Sequence, residues 1–378
     1  MEQTTLDPER QKKAKEYARI HRRLFIVELA WSGLYALLWL VAGWAVGLKT
    51  ALLGLHANLW LVIAAFAVIY AGIDMLLSLP LSYYSEFVLP HRYELSNETL
   101  KGWIIDNLKT LLISAPIGII VIEVIYAVLR RFPDTWWLWA AGFMLLFTVL
   151  LANLSPVLIA PIFNKYIPLG EEHQDLAERL LRLAERAHTR VRGVYKFDLS
   201  RRTKTANAAL TGIGNSRRII LGDTLIEEFT PDEIETVLAH ELGHHVNRDI
   251  PLIILVGSVS TLVGFYLASL GLKWGVHFWG FEDASDISAL PLFILVIGVY
   301  SLVTMPLNNA FSRWRERLAD QYALQATGNG EAFASAMRRL ANQNLADADP
   351  EPWVEFLLYS HPALSKRIAM AETFSTSK

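Results

Sequence analysis

Two histidines, His240 and His244, have the spacing of a metal site, and a glutamate, Glu241, directly follows the first of them. On an α-helix, residues four positions apart project within about 40° of each other, so both imidazoles can bind one metal ion. Glu241 lies on the same side, where its carboxylate can accept a proton from water without binding the metal. This His-Glu-x-x-His pattern predicts one Zn²⁺ per chain, held by His240 and His244, with Glu241 as the general base of a metallopeptidase.

The pattern needs a helix, and the preceding sequence supplies a helix start. Thr230 can act as the N-cap, Pro231 occupies the first helical position, and Glu233 completes a capping box. His245 points about 100° away from His244 on the same helix. We therefore expect His245 to pack or to make polar contacts rather than to bind the metal.

A third metal ligand has to come from another part of the chain. The sequence contains no cysteine, so this ligand must be His, Asp or Glu. Glu316 is the best candidate, because it lies four residues before Asp320 in a helical stretch that ends near Gly328. This spacing allows Glu316 to bind the metal while Asp320 accepts a hydrogen bond from a ligating imidazole. The alternative is a solvated helix with Arg–Glu ion pairs.

The composition indicates that a membrane surrounds much of the chain. Hydrophobic residues make up 53% of the 378 residues, and the mean hydropathy is +0.30, both high for a soluble domain. Six segments are long and apolar enough to cross a hydrocarbon layer of about 30 Å. They are 24–48, 59–81, 103–129, 136–159, 250–272 and 290–307.

The spans divide the chain into a membrane part and a polar part. A polar segment, 1–23, precedes four spans in 24–163, and two further spans lie in 250–307. The insertion 164–249 contains the His-Glu-x-x-His helix, and the region 308–378 contains Glu316. Because two spans separate these polar regions, both lie on the same side of the membrane and can form one catalytic domain.

Short elements are also predicted inside the polar insertion. Leu176, Leu180 and Leu183 recur at helical spacing and predict an amphipathic packing helix. Short strands are predicted at 194–199 and 218–221, on either side of a Gly- and Asn-containing stretch at 207–215. The predicted fold class is therefore mainly α: a polytopic membrane helix bundle of about six spans with a cytoplasmic-side zincin-like metallopeptidase domain that contains a small β-hairpin or sheet.

Positive charge near the spans predicts the orientation of the chain. The segment 10–23 is strongly basic, whereas the linkers around Lys49 and Lys273 have almost no positive charge. Because cytoplasmic loops carry an excess of Lys and Arg, we expect both termini and the catalytic domain to be cytoplasmic. The net charge of −2 argues against a nucleic-acid partner.

Motifs along most of the chain resemble the M48 peptidases, in particular the Ste24-type CAAX prenyl protease branch. The motifs lie at 155–166, 204–208, 240–244, 306–320 and 360–368. The resemblance implies an integral-membrane zinc endopeptidase that hydrolyses peptide bonds near the C-terminus of lipidated (CAAX-type) or membrane-associated proteins. Its partners would be the lipid bilayer and a peptide or protein substrate, prenylated substrates included.

The resemblance also implies roles for residues outside the metal site. Asn207 and Ala208 would belong to an edge strand that pairs with the substrate backbone, and the Asn207 amide would orient a peptide carbonyl. His361 and Arg367 would place polar groups beside the metal and stabilise the oxyanion that forms during hydrolysis. Without the resemblance, His361 before Pro362 is typical of a turn.

Two other functions fit the sequence. One is a quality-control metalloprotease of the same superfamily that cleaves misfolded membrane proteins. The other belongs to a different class, a non-catalytic membrane transporter or scaffold whose His and Glu residues only bind metal. The presence of Glu241 argues against the second function, because a structural metal site has no use for a general base.

Overall fold

The computed structural model describes residues 5–212 and 217–376, and most of them are helical. Among these residues, six helical runs are long and apolar enough to cross a membrane. A small sheet accompanies them, so the predicted fold class, a mainly α membrane helix bundle with a small sheet, is confirmed, while the side of the membrane stays a prediction. The end of the predicted Gly- and Asn-containing stretch, 213–215, lies outside the described residues.

The N-terminal half of the structure is a set of apolar helices. In chain order they are α1 (Pro8–Val41), α2 (Trp44–Leu55), α3 (Leu59–Ser82), α4 (Leu89–Arg92), α5 (Leu100–Arg131), α6 (Trp136–Leu154) and α7 (Ala160–Phe163). Short π-helical segments, Tyr83–Val88 and Ser155–Ile159, join α3 to α4 and α6 to α7. Each of these two runs is therefore one continuous span candidate.

The C-terminal half combines a small sheet with further helices. In chain order it contains β1 (Tyr166–Pro168), α8 (Gln174–Arg186), β2 (Val194–Phe197), β3 (Ala208–Thr211), β4 (Arg218–Gly222), α9 (Asp223–Glu228), α10 (Pro231–Val246), α11 (Asp249–Trp279), α12 (Leu290–Thr327), α13 (Gly330–Gln343), α14 (Pro352–Leu358) and α15 (Leu364–Thr376). The helices α11 and α12 are the last two span candidates.

The predicted first span, 24–48, is wrong at its C-terminal end. Gly43 has a φ angle of 70°, a left-handed conformation that glycine adopts without steric penalty, and α1 stops just before it. The apolar sequence then restarts as α2, which has 12 residues and reaches only about 18 Å, too short to cross a membrane. Hydropathy alone does not detect this break, because both sides of Gly43 are apolar.

Two long helices join the membrane part to the polar part. α1 begins at Pro8, where the Asp7 side chain accepts hydrogen bonds from the first backbone N–H groups, and continues into the apolar sequence. α12 continues past the predicted end of the sixth span as far as Thr327, and this extension carries Glu316. The helices α1 and α12 each run across a boundary between two of the five predicted segments. The division of the chain into these segments stays a prediction.

Within the described part of the chain, the sheet has four strands in the order β1-β2-β4-β3. The strands β2 and β4 correspond to the two predicted strands, but they pair in parallel and so form no hairpin with each other. β1 pairs antiparallel with β2, and β3 pairs antiparallel with β4. β3 is consequently an edge strand, and it packs against α10.

The helix α10 is fixed by a hydrophobic core. Its Leu238 and Leu242 side chains are fully buried and share a cluster with Leu180 and Leu183 of the amphipathic helix α8. On another side α10 packs against α12. The packing therefore holds the helix that carries His240 against the helix that carries Glu316.

Candidate metal centre

The start of α10 is fixed by a capping box. The Thr230 side chain accepts a hydrogen bond from Glu233 N, and the Glu233 carboxylate accepts one from Thr230 N at 2.8 Å. The same carboxylate accepts a hydrogen bond from Ser335 of α13 at 2.6 Å. The helix that presents His240 and His244 is thus tied at its first turn to a neighbouring helix.

A glycine allows α10 and α12 to approach closely at the site. A Cβ atom added at Gly243 would lie 2.9 Å from Cα and 3.0 Å from the carbonyl oxygen of Ala319. Both are backbone atoms, so a larger residue at position 243 would push α12 away from α10. Glu316 lies one turn before Ala319, and the absence of a side chain at Gly243 therefore brings its carboxylate close to the two imidazoles.

Three side chains converge at one point. Nε2 of His240 lies 3.2 Å from Nε2 of His244 and 3.2 Å from Oε2 of Glu316. Nε2 of His244 lies 3.4 Å from Oε1 of Glu316. Two ligands at about 2.0–2.1 Å from a tetrahedral ion lie roughly 3.3 Å apart, so this spacing fits a metal ion.

The Glu316 carboxylate itself fits a metal ligand. Glu316 is 7% exposed, and its Oε2 atom is buried with no hydrogen-bond partner among the described residues. A buried carboxylate oxygen without a partner is energetically costly, and a bound cation removes that cost. The residues His240, His244 and Glu316 therefore form a donor set that suits a metal ion.

The first histidine is held from behind by a carboxylate. Nδ1 of His240 lies 2.8 Å from Asp320, so Nε2 is left to face the convergence point. Burial by itself would lower the pKa of His240, but the adjacent Asp320 and Glu316 carboxylates raise the pKa to about 9. Because a ligating imidazole must be neutral, metal binding competes with protonation of this ring.

The second histidine is held in the same way by a residue that the sequence analysis did not identify. Nδ1 of His244 lies 2.7 Å from Oδ2 of Asp249, which is 2% exposed. The other oxygen of Asp249 accepts a hydrogen bond from Nε of buried Arg315 at 2.6 Å. Arg315 also donates to the backbone carbonyl of Asn247 at 2.8 Å. In the same way, Asp320 accepts two hydrogen bonds from buried Arg367. Each imidazole is therefore backed by a carboxylate and a buried arginine.

Replacing either supporting carboxylate is expected to weaken metal binding moderately. Without Asp249 or Asp320 the adjacent imidazole loses the partner that fixes its tautomer and ring orientation. We expect Asp249→Ala and Asp320→Ala each to lower metal affinity or activity by about 10- to 100-fold. Metal affinity is measured by competition with a chelator, with Asp232→Ala as the control, because Asp232 lies in the first turn of α10 and pairs with Arg179. Unchanged metal affinity in Asp249→Ala would show that Asp249 does not support metal binding.

Glu241 lies beside the two imidazoles in a partly buried position. Its burial raises the pKa of its carboxyl group, while the neighbouring His240 and His244 oppose this rise. A raised pKa suits a general base, because the group then binds a proton more readily and can pass it on. His245 is not in the metal-binding group.

The structure separates the two C-terminal residues. Nε2 of His361 lies 3.3 Å from Oε1 of Glu316, and its side chain is 58% exposed, so it borders the convergence point from the solvent side. Arg367 is buried and forms two hydrogen bonds with Asp320, at 2.8 and 2.5 Å. Its guanidinium lies 3.4 Å from Nδ1 of His240, the ring nitrogen on the Asp320 side. Arg367 thus contacts the support of the metal site rather than the convergence point.

The edge strand expected from the resemblance is present next to the helix of the metal site. Ala208 is the first residue of β3, and Asn207 precedes it with an exposed side chain. The carbonyl oxygen of Asn207 accepts a hydrogen bond from Gly222 N at 2.8 Å, which extends the ladder with β4. The outer edge of β3 borders no other strand of the described sheet.

Comparisons with known proteins agree with this fold and site. A family model described as CAAX prenyl protease N-terminal, five membrane helices, matches residues 2–165. A model described as peptidase family M48 matches residues 171–375. Within the described residues, the first region contains four span candidates and the short apolar helix α2.

Relatives and a solved structure match over most of the chain. An uncharacterized metalloprotease of Bacillus subtilis, YhfN, is 31% identical over 95% of this chain and 84% of its own length. CAAX prenyl protease 1 of Saccharomyces cerevisiae is 29% identical over 88% of this chain and 78% of its own length. The crystal structure of S. mikatae Ste24p superposes with a TM-score of 0.86 at 25% identity, covering 97% of this chain and 90% of that chain.

The fold and the convergent His and Glu side chains define a multi-pass membrane metallopeptidase. The M48 model covers more than half of the chain, and the N-terminal model covers nearly all of the rest. The chain belongs to peptidase family M48. The predictions of an M48-like metalloendopeptidase and of a resemblance to Ste24-type proteins are confirmed, and a non-catalytic transporter or scaffold is not supported.

Proposed function

We propose that this membrane metallopeptidase is a zinc endopeptidase that cleaves near the C-terminus of lipidated (CAAX-type) or membrane-associated proteins. The observation that carries the proposal is the convergence of two Nε2 atoms on the Glu316 carboxylate, whose Oε2 has no hydrogen-bond partner among the described residues. Several relatives over most of the chain are named CAAX prenyl protease 1 or its homologue. This similarity supports the choice of substrate class.

Zinc is the metal that this donor set favours. Two imidazoles and one carboxylate, with no thiolate in the chain, are the ligands of many catalytic zinc sites. His240, His244 and Glu316 would hold one ion per chain. When bound, zinc would polarise the scissile carbonyl and make water a better nucleophile.

The protein side chains account for the proton transfers and for substrate binding. Glu241 accepts a proton from the attacking water at its carboxylate and delivers it to the nitrogen of the leaving amine. His361, with Nε2 near Glu316, donates a hydrogen bond to the developing oxyanion. The outer edge of β3, which begins at Ala208, pairs with the substrate backbone, and the Asn207 amide orients one of its carbonyls.

For Arg367 we propose a positioning role instead of oxyanion binding. Its guanidinium donates two hydrogen bonds to Asp320, and Asp320 contacts Nδ1 of His240. The guanidinium therefore lies on the Nδ1 side of the ring, away from Nε2. Arg367 therefore keeps Asp320 ionised and oriented, and Asp320 in turn fixes the His240 ring. An Arg367→Lys variant that retained full metal affinity would contradict this role.

The catalytic domain and both termini are proposed to face the cytoplasm, and no nucleic acid is among the proposed partners. The basic N-terminal segment supports this orientation. Because the chain has no native cysteine, single cysteines can report accessibility to an impermeant reagent. Cysteine at Arg182, 64% exposed, should be protected in intact cells, whereas cysteine at Asp134, 88% exposed, should be labelled. The reverse pattern would invert the topology.

The substrate class is tested by comparing three substrates with the purified enzyme. A farnesylated CAAX peptide is expected to be cleaved faster than the same peptide without the lipid, and both faster than an unfolded membrane protein. Cleavage of the unfolded protein without cleavage of either peptide would instead favour a quality-control protease. Each reaction is followed by mass spectrometry, with a chelator-treated sample as the blank.

A further inference from the structure

The backbone groups of β3 alternate between the two sides of the strand. The carbonyl of Asn207 bonds to Gly222 of β4, so the backbone polar groups of Asn207 face into the sheet. In an antiparallel strand the polar groups of successive residues point to opposite sides. Those of Ala206 and Ala208, and then Leu210, therefore face the outer edge, where β3 has no neighbouring strand in the described sheet.

One of these outward positions is already occupied by a side chain of the same molecule. Ala206 N donates a hydrogen bond to Oδ1 of Asn344 at 2.8 Å. Nδ2 of Asn344 donates to the carbonyl oxygen of Ala206 at 3.2 Å. A side-chain amide thus replaces one residue of a partner strand, because it satisfies both the donor and the acceptor of Ala206.

The backbone around Asn344 holds this amide in place. Asn344 N donates to Leu340 O at 2.9 Å and so ends the helix α13. The next residue, Leu345, has a φ angle of 50° and is only 3% exposed. A leucine in the left-handed region is strained, and this conformation persists only where the surrounding structure fixes it. Ala346 N closes the turn by bonding to Ala341 O at 3.0 Å.

We propose that Asn344 sets the register in which a peptide substrate pairs with β3. The inference rests on the proposed function, in which the outer edge of β3 binds the substrate backbone. The amide of Asn344 satisfies the backbone N–H and C=O of Ala206. A substrate strand therefore pairs with Ala208 and Leu210, and its pairing stops before Ala206. The position at which the pairing stops then determines which peptide bond of the substrate lies at the metal ligands.

Removing the amide has a specific consequence for the cleavage position. With Asn344→Ala, the N–H and C=O of Ala206 become free for a substrate strand. Outward-facing groups recur at every second residue, so the substrate can move along the edge by two residues, about 7 Å. We expect a second cleavage product that differs in length by two residues and amounts to on the order of a tenth or more of the total.

The experiment uses the full-length enzyme and the unlipidated peptide of the substrate test, with products mapped by mass spectrometry. Asn342→Ala is the matched control, because the Asn342 amide lies in the same turn but bonds to the N-terminal segment at Asp7 N and Thr5 O. It should retain a single cleavage position. Hydrogen exchange provides a second readout, since the amide of Ala206 should exchange faster in Asn344→Ala than in Asn342→Ala.

The outcomes separate the inference from the function on which it rests. If the wild-type enzyme cleaves no peptide, the proposed function fails. If the wild type cleaves at one position and Asn344→Ala gives the same position with the same KM, the register role of Asn344 is wrong. A loss of activity and stability without a shifted product would assign Asn344 a structural role only, and would also contradict the inference.

Discussion

Replacing Glu241 with Gln is expected to lower the rate of peptide cleavage by at least about 10²–10⁴-fold, with the metal content unchanged. Gln keeps the shape and volume of Glu but cannot accept a proton. The proposed mechanism uses the Glu241 carboxylate twice, first to take a proton from water and then to protonate the leaving amine. Loss of one group therefore blocks both transfers, so the effect should lie at or above this range.

Metal content and cleavage must be measured on the same Glu241→Gln preparation. Glu241 is absent from the group of converging ligands, so elemental analysis should find as much metal as in the wild type. Thermal stability should change little, because the α10 helix and both imidazoles stay in place. Glu228→Gln, an exposed glutamate just before the same helix, is the control. Normal cleavage would rule out Glu241 as the base, and loss of metal would make it a ligand or a structural residue.

The residues that local sequence patterns define could be predicted. The start of α10 depends only on Thr230, Pro231 and Glu233, which lie within four positions of each other, and the structure contains the predicted capping box. The convergence of His240 with His244 follows from the period of the helix in the same way. Hydropathy predicted the spans because a lipid environment imposes length and apolarity on each of them separately.

Residues whose positions depend on the tertiary structure could not be predicted. Asp249 follows His244 by five residues, but the chain leaves α10 between them, with Arg248 at a φ angle of 55°. No helical period links the two, and Asp249 reads in the sequence as the polar residue before a span. The role of Arg315 could not be predicted for the same reason. Beside Glu316 and Arg317, its sequence context is that of a solvated, charged helix face. Only the packing of α10 against α12 distinguishes it.

The role first expected for Arg367 illustrates a further limit of sequence reasoning. A motif can indicate that an arginine lies near the metal, but not on which side of the imidazole it lies. In the structure Arg367 donates two hydrogen bonds to Asp320, and the positioning role proposed above follows from this contact. The parallel pairing of β2 with β4 is a similar case. Two short predicted strands do not reveal that β3, which lies between them in the sequence, pairs with β4 at the edge of the sheet.

Replacing Glu316 with Ala is expected to abolish stable metal binding and cleavage together. Two imidazoles alone leave the ion without its only charged protein ligand, so the loss of affinity should exceed the 10- to 100-fold expected for Asp249→Ala or Asp320→Ala. The metal-free variant should still fold. In the unsubstituted protein, Oε2 of Glu316 is buried without a hydrogen-bond partner among the described residues. Removing this carboxylate therefore also removes an unfavourable desolvation, which offsets part of the cost of the cavity left behind.

Thermal unfolding with and without added zinc separates ligand loss from misfolding. A ligand that binds only the folded state raises stability in proportion to the logarithm of its concentration over Kd. Zinc should therefore raise the Tm of metal-free wild type and of Arg317→Ala, an exposed neighbour on the same helix. It should leave the Tm of Glu316→Ala nearly unchanged. If Glu316→Ala kept full zinc occupancy and activity, the third ligand would be misassigned, and His361, whose Nε2 lies 3.3 Å from the Glu316 carboxylate, would be the residue to test in its place.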